Sequence, residues 1–175
     1  MDKLDKVLAK LAELKAQLGL GFGPPPVTRR VHCNRQHGGL WYFWNGEAGA
    51  EIISAPALTG YARQLDIKVG EYKGKPTHNL ELLMDCGPQS YILTAGLQST
   101  FSRGLLLALG MLTCKHFAHG PITVAPRAGD EEKVLLCSVW AGKTYLKYEW
   151  TDDENVVRAC FKRAQQNIRE ANTDA

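Results

Sequence analysis

Residues 58–96 read LTGYARQLDIKVGEYKGKPTHNLELLMDCGPQSYILTAG, and the spacing of apolar side chains along them decides the fold. In Tyr61–Tyr72 the residues Leu65, Ile67 and Val69 share one face, while Gln64, Asp66, Lys68 and Tyr72 share the other, as in a half-buried strand. The next run repeats the pattern: Leu80, Leu82, Met84 and Cys86 fall on one side, and Asn79, Glu81 and Asp85 on the other. Lys73-Gly74-Lys75-Pro76 reverses the chain between them, because Gly admits positive φ and Pro cannot continue a ladder. Cys86-Gly87-Pro88 forces a second reversal, and Ser90–Thr94 reads as a short third strand.

Farther on, Ser99 or Thr100 caps a helix expected over Ser99–Thr113, with Phe101, Leu105, Ala108, Leu109 and Leu112 as its apolar stripe. Gly104 and Gly110 each lower its intrinsic helicity by roughly 1 kcal/mol, so tertiary packing must hold it. Strands follow at Pro121–Pro126, at Lys133–Trp140 with Leu135, Cys137 and Val139 on the core side, and, after the turn Ala141-Gly142, at Lys143–Trp150. Arg127-Ala-Gly-Asp-Glu-Glu is the intervening loop. The first five of these strands with the helix, β-β-β-α-β-β, follow the succession of an oligonucleotide/oligosaccharide-binding (OB) barrel, so the expected class is mainly β with flanking helices.

A chain of 175 residues with 45% hydrophobic content builds one well-buried core rather than two large ones. The expected organisation is an amphipathic helix at 1–18, a Gly/Pro linker at 19–27, the barrel with an N-terminal hairpin extension at 28–150 and a C-terminal helix at 152–171. Net charge is +3 and the sequence pI about 8.6, a mild bias toward a polyanionic partner. No stretch approaches the ~20 apolar residues of a membrane span. The start, Met-Asp-Lys-Leu-Asp-Lys, lacks the apolar core of a signal peptide, so a cytoplasmic location and no membrane partner are expected. Five cysteines without a close pairing pattern fit a reducing compartment, with Cys86 and Cys137 as small core hydrophobes.

Leu4, Val7, Leu11, Leu14 and Leu18 occupy a and d positions of a heptad. So short a helix is marginal alone in water, which requires packing on its own chain, on a second copy or on a partner protein. Pro24-Pro25-Pro26 is a semi-rigid spacer behind it. A hairpin pairs Thr28–Cys33 with Leu40–Trp44, and Glu51–Ser54 adds a further short strand. Consecutive aromatics in Trp41-Tyr42-Phe43-Trp44 cannot all point inward, so one pair must meet another surface. Asp152 or Asp153 caps the last helix, Glu154 to about Ala171, whose buried stripe is Val157, Cys160, Phe161, Ala164 and Ile168.

Two lysines and a tyrosine share a face in Lys143-Thr-Tyr145-Leu-Lys147. Ammonium groups track phosphates while aromatic faces stack on bases, which is what single-stranded nucleic acid requires. Tyr72, Lys73 and Lys75 repeat the combination at the first hairpin, and Tyr61, Arg63 and Lys68 add to the same region. The competing reading is of ordinary solvated lysines beside tyrosines that cover a barrel end. Trp44 and Trp140 are either core or stacking surfaces, and Arg29-Arg30 is either a solvated pair or a phosphate clamp. Cys114, His116 and His119, and separately His32, Cys33 and His37, cluster soft ligands without a Cys-x-x-Cys, so no metal is expected. No catalytic motif, and hence no cofactor, is expected.

With Leu58-Thr-Gly60-Tyr61, Glu71-Tyr72-Lys73-Gly74-Lys75 and Phe101-Ser-Arg103-Gly-Leu-Leu-Leu, the strand and helix order resembles the OB-fold single-strand DNA-binding proteins of bacteria, phages and plasmids over roughly residues 50–150. The resemblance implies a sheet face and hairpin loops that bind single-stranded DNA, or RNA, with little sequence preference. The chain departs from that family at its end, Ala171-Asn-Thr-Asp-Ala175, which follows a basic helix rather than forming an acidic tail with a terminal Phe. A protein-interaction module built on the same fold is the alternative.

Overall fold

A computed structural model describes residues 2–173. The chain runs through α1 (Lys3–Gln17), β1 (Thr28–His32), β2 (Tyr42–Trp44), β3 (Ala50–Ile52), β4 (Leu58–Tyr72), β5 (Lys75–Asp85), β6 (Ser90–Gly96), α2 (Thr100–Leu109), α3 (Cys114–His119), β7 (Ile122–Ala128), β8 (Leu135–Ala141), β9 (Thr144–Tyr145) and α4 (Glu154–Thr173). Among the described residues nine strands form one sheet in the order β3-β2-β1-β6-β5-β4-β7-β8-β9. α2 packs on β8, α4 packs on β4, and α4 also meets α2 and α3.

The expected meander is present, β4 pairing antiparallel with β5 and β5 with β6. Lys73 and Gly74 turn the first hairpin with φ of 50° and 76°, the doubly positive geometry whose twist matches the flanking strands. Only Leu58–Gly60 of β4 pairs with β7, and a register shift at Ala62/Gln64 lies just beyond, so β4 bends where it passes from one half of the sheet to the other. α4 covers the strand edge that β7 leaves: Gln165 Nε2 donates to the Leu65 carbonyl at 2.9 Å and Asn172 Nδ2 to the Ala62 carbonyl at 3.2 Å.

Leu65, Leu82, Met84 and Leu93 from one half of the sheet meet Val124, Cys137 and Val139 from the other, with Phe101, Leu105, Leu109, Ala164 and Ile168 between them. Two glycines let other segments approach α2 this closely. A Cβ on Gly104 would lie 2.6 Å from the Tyr148 hydroxyl, and one on Gly110 would lie 2.8 Å from Cys160 Cβ of α4. The helicity these residues forfeit is the cost of that approach.

Several expectations are corrected. The architecture is mixed α/β rather than mainly β, and the sheet is open, with no pairing that joins β6 to β8 to close a barrel. β1 occupies the β6 edge, pairing parallel from Thr28↔Ser90 to His32↔Thr94, so the edge a closing strand needs is taken. The β1–β2 hairpin is present, with Val31↔Phe43 and His32↔Tyr42, and β3 extends it. The helix foreseen over Ser99–Thr113 stops at Leu109 with Gly110 as its C-cap, and α3 is a separate helix. The last strand shrinks to Thr144–Tyr145, because Tyr148 turns inward and donates its hydroxyl to the Cys137 carbonyl at 3.0 Å. α1 buries none of its residues, so docking on its own chain is not observed. Among the described residues no helix is long and apolar enough to cross a membrane.

Candidate nucleic-acid interface

The outer face of β7, β8 and β9 collects aromatic and cationic side chains. Register places Tyr145 beside Trp140, Trp140 beside Thr123, and Thr123 beside Thr59 of β4. The Trp140 and Tyr145 rings are 5.3 Å apart at 57°, and the Thr59 and Thr123 hydroxyls hydrogen-bond at 2.8 Å. Tyr145 is 47% exposed. Lys143 stands on the β8–β9 turn next to Gly142, whose φ of 59° closes it. The Leu146 amide donates to the Val139 carbonyl at 2.9 Å, and Lys147, next in the chain, is exposed. Ser138 Oγ accepts from Arg127 Nε at 2.6 Å.

Among the described residues the ion pairs are Arg29–Glu51, Arg30–Glu81, Arg63–Asp85 and Arg103–Glu154, and Arg127, Lys143 and Lys147 enter none of them. Lys115, His116 and His119 of α3 border the same turn, across a shallow cleft with Pro121, Ala141 and Gly142. Tyr61 lies two residues beyond Thr59, and Arg63 sits 5.3 Å from its ring while held by Asp85 at 3.1 Å. Of the residues foreseen as a site, Trp140, Lys143, Tyr145 and Lys147 thus come to one region with Tyr61 at its β4 margin, whereas Arg63 reaches α4, donating Nη1 to Asn172 Oδ1 at 2.9 Å. Arg127, placed in a loop by the sequence reading, belongs with them. In β7 Ile122, Val124 and Pro126 are buried while Thr123 is half-buried and Arg127 exposed on the alternate face, and that spacing is the signal that would have found it.

The remaining candidates lie elsewhere. Tyr72, Lys73 and Lys75 form the exposed β4–β5 hairpin tip, with Lys73 Nζ 5.3 Å from the Tyr72 ring. About 40 Å of extended strand separates that tip from Gly60. Lys68 and Arg30 line a cleft with Asp66 and Glu81, and Arg30 pairs with Glu81. Arg29 lies over the Phe43 ring, 3.6 Å from its centroid, and pairs with Glu51. Adjacent strand residues point to opposite faces, so Arg29 and Arg30 are not a joint clamp.

The aromatic strand resolves within the chain. Trp41 is buried and donates Nε1 to the Ala55 carbonyl at 3.0 Å. Tyr42 stacks on His32 and meets the edge of His37, Phe43 stacks on Tyr91, and Trp44 is 54% exposed beside His37. Burial holds the His32 imidazole below its ordinary range, helped by Arg30 and His37. On acidification the unfolded chain therefore binds a proton first, so this stability is present above pH 6.5 and lost as pH falls through the folded value. Melting followed by circular dichroism should show a lower Tm at about pH 5 than at about pH 7, and His32→Gln should flatten that fall. Equal pH dependence in both proteins would contradict the assignment.

Among the described residues no group of three or more His, Cys, Asp or Glu side chains could hold a metal ion. All five cysteines are free thiols, and burial pushes the Cys33 and Cys137 thiols far up. Cys137 is a core residue, whereas Cys86 is only partly buried against the core. No protein-family model, curated protein or solved structure matches the chain.

Proposed function

We propose that this protein binds single-stranded nucleic acid, DNA foremost, with little sequence preference and without catalysing a reaction. The binding surface is the outer face of β7–β9 with the start of β4. The observation that carries the reading is the Trp140–Tyr145 pair beside Arg127, Lys143 and Lys147, cations that enter none of the ion pairs among the described residues. Stacking tolerates any base and ammonium groups follow the backbone, so this chemistry binds RNA as well. The fold is read as an opened OB arrangement: a three-stranded meander, a helix, then two strands that rejoin the meander through a bent first strand. The hairpin tip at Tyr72, Lys73 and Lys75 is a second, outlying contact. Free thiols fit a cytoplasmic setting.

Salt dependence tests the phosphate contacts. Lys143→Ala, Lys147→Ala and Arg127→Ala should each lower the slope of log K against log salt by about 0.7, the value for one phosphate contact on a single strand. Fluorescence anisotropy with a labelled poly-dT oligonucleotide over a salt series reads this directly. Slopes that stay at the wild-type value in all three would remove this face from the interface. The alternative, an OB-type protein-interaction module, is favoured by the exposed apolar helix α1, and affinity that barely responds to salt would promote it.

A further inference from the structure

α1 takes no part in the interface above. Asp2 and Asp5 cap it reciprocally, and Leu4, Val7, Leu8, Leu11, Leu14 and Leu18 each stand between 47% and 62% exposed. Leu4, Val7, Leu8 and Leu11 have the i, i+3, i+4, i+7 spacing with which a helix enters an apolar groove. Leu8, at an e position, widens the stripe beyond the two columns of a coiled-coil seam.

The charges beside this stripe say what covers it. Lys3 and Lys10 occupy g positions and Lys15 an e position, whereas the acidic Asp5 and Glu13 lie at b and c, away from the stripe. In a parallel pair of copies Lys10 would face Lys15 of the second copy on each side, a repulsion of about 0.2–0.5 kcal/mol per contact that a carboxylate would turn into attraction. A cleft of this chain that holds Asp66 and Glu81 also holds Arg30 and Lys68, which balance them, and the whole chain is +3.

We infer that α1 is a docking helix for a different protein, one whose apolar groove is rimmed by Asp and Glu. Pro24-Pro25-Pro26 separates the helix from β1, and a Cβ on Gly19, just behind the helix, would stand 3.6 Å from Pro88 of the β5–β6 turn. The inference rests on α1 alone and is independent of the single-strand reading.

Two synthetic amphipathic helical peptides with leucine at a and d test it, one with Glu at every e and g position and the other with Lys. By anisotropy the full chain should bind the Glu-flanked peptide at least about tenfold tighter. Lys10→Glu combined with Lys15→Glu should reverse the preference, and Leu11→Asp should abolish binding of both while leaving oligonucleotide binding intact. Equal affinity for the two peptides, binding of neither, or a doubled mass by light scattering without peptide would overturn the inference, the last in favour of a second copy.

Discussion

Ile168→Ala should lower the free energy of unfolding by about 2–5 kcal/mol, the range for emptying a fully buried aliphatic site. Ile168 has 0% exposure and continues the stripe Val157, Cys160 and Ala164 by which α4 lies against the core. α4 also caps the edge of β4 through Gln165 and Asn172, so loosening it uncovers strand carbonyls as well as apolar area. Urea unfolding reads the loss. Leu11→Ala is the control, since a half-exposed leucine on α1 should change stability by no more than about 0.5 kcal/mol. A loss below about 1 kcal/mol at Ile168 would mean that α4 does not close the core.

Trp140→Ala and Tyr145→Ala should each weaken single-strand binding by about 1–3 kcal/mol, roughly 5- to 150-fold in Kd. Neither removes a charge, so the salt slope should stay at the wild-type value, which separates stacking from phosphate contact. The rings touch each other, so the double substitution should cost less than the sum of the single ones. Losing a cross-strand aromatic pair costs about 0.2–1 kcal/mol of stability, small enough for both variants to remain folded. Anisotropy titration checks affinity, and unchanged Kd in both would exclude this pair as a base platform.

The meander β4–β5–β6 was legible because alternation assigns each side chain a face and short turns fix the register. α4 was legible from its cap and stripe, with Asp153 Oδ1 accepting from the Asn155 amide at 2.9 Å. The parallel β1–β6 pairing was not, because it joins segments far apart in sequence and leaves no local pattern. That unseen pairing is what turns an expected barrel into an open sheet. At the site, Lys143, Tyr145 and Lys147 were found from alternation, and Trp140 joins them through strand pairing. The hairpin lysines are grouped with them on composition and on the expectation that this loop flanks an OB groove, which the length of β4 in an open sheet does not allow. Arg29 and Arg30 were paired despite the two-residue period, which by itself sends neighbours to opposite faces.

The most direct measurement is the affinity of the full chain for a labelled poly-dT oligonucleotide and for a duplex of equal length, each at low and at physiological salt. Single-strand binding through Trp140, Tyr145, Arg127, Lys143 and Lys147 requires tighter binding to the single strand, with affinity that falls as salt rises. Binding to the single strand no tighter than to the duplex, or not responsive to salt, would contradict it.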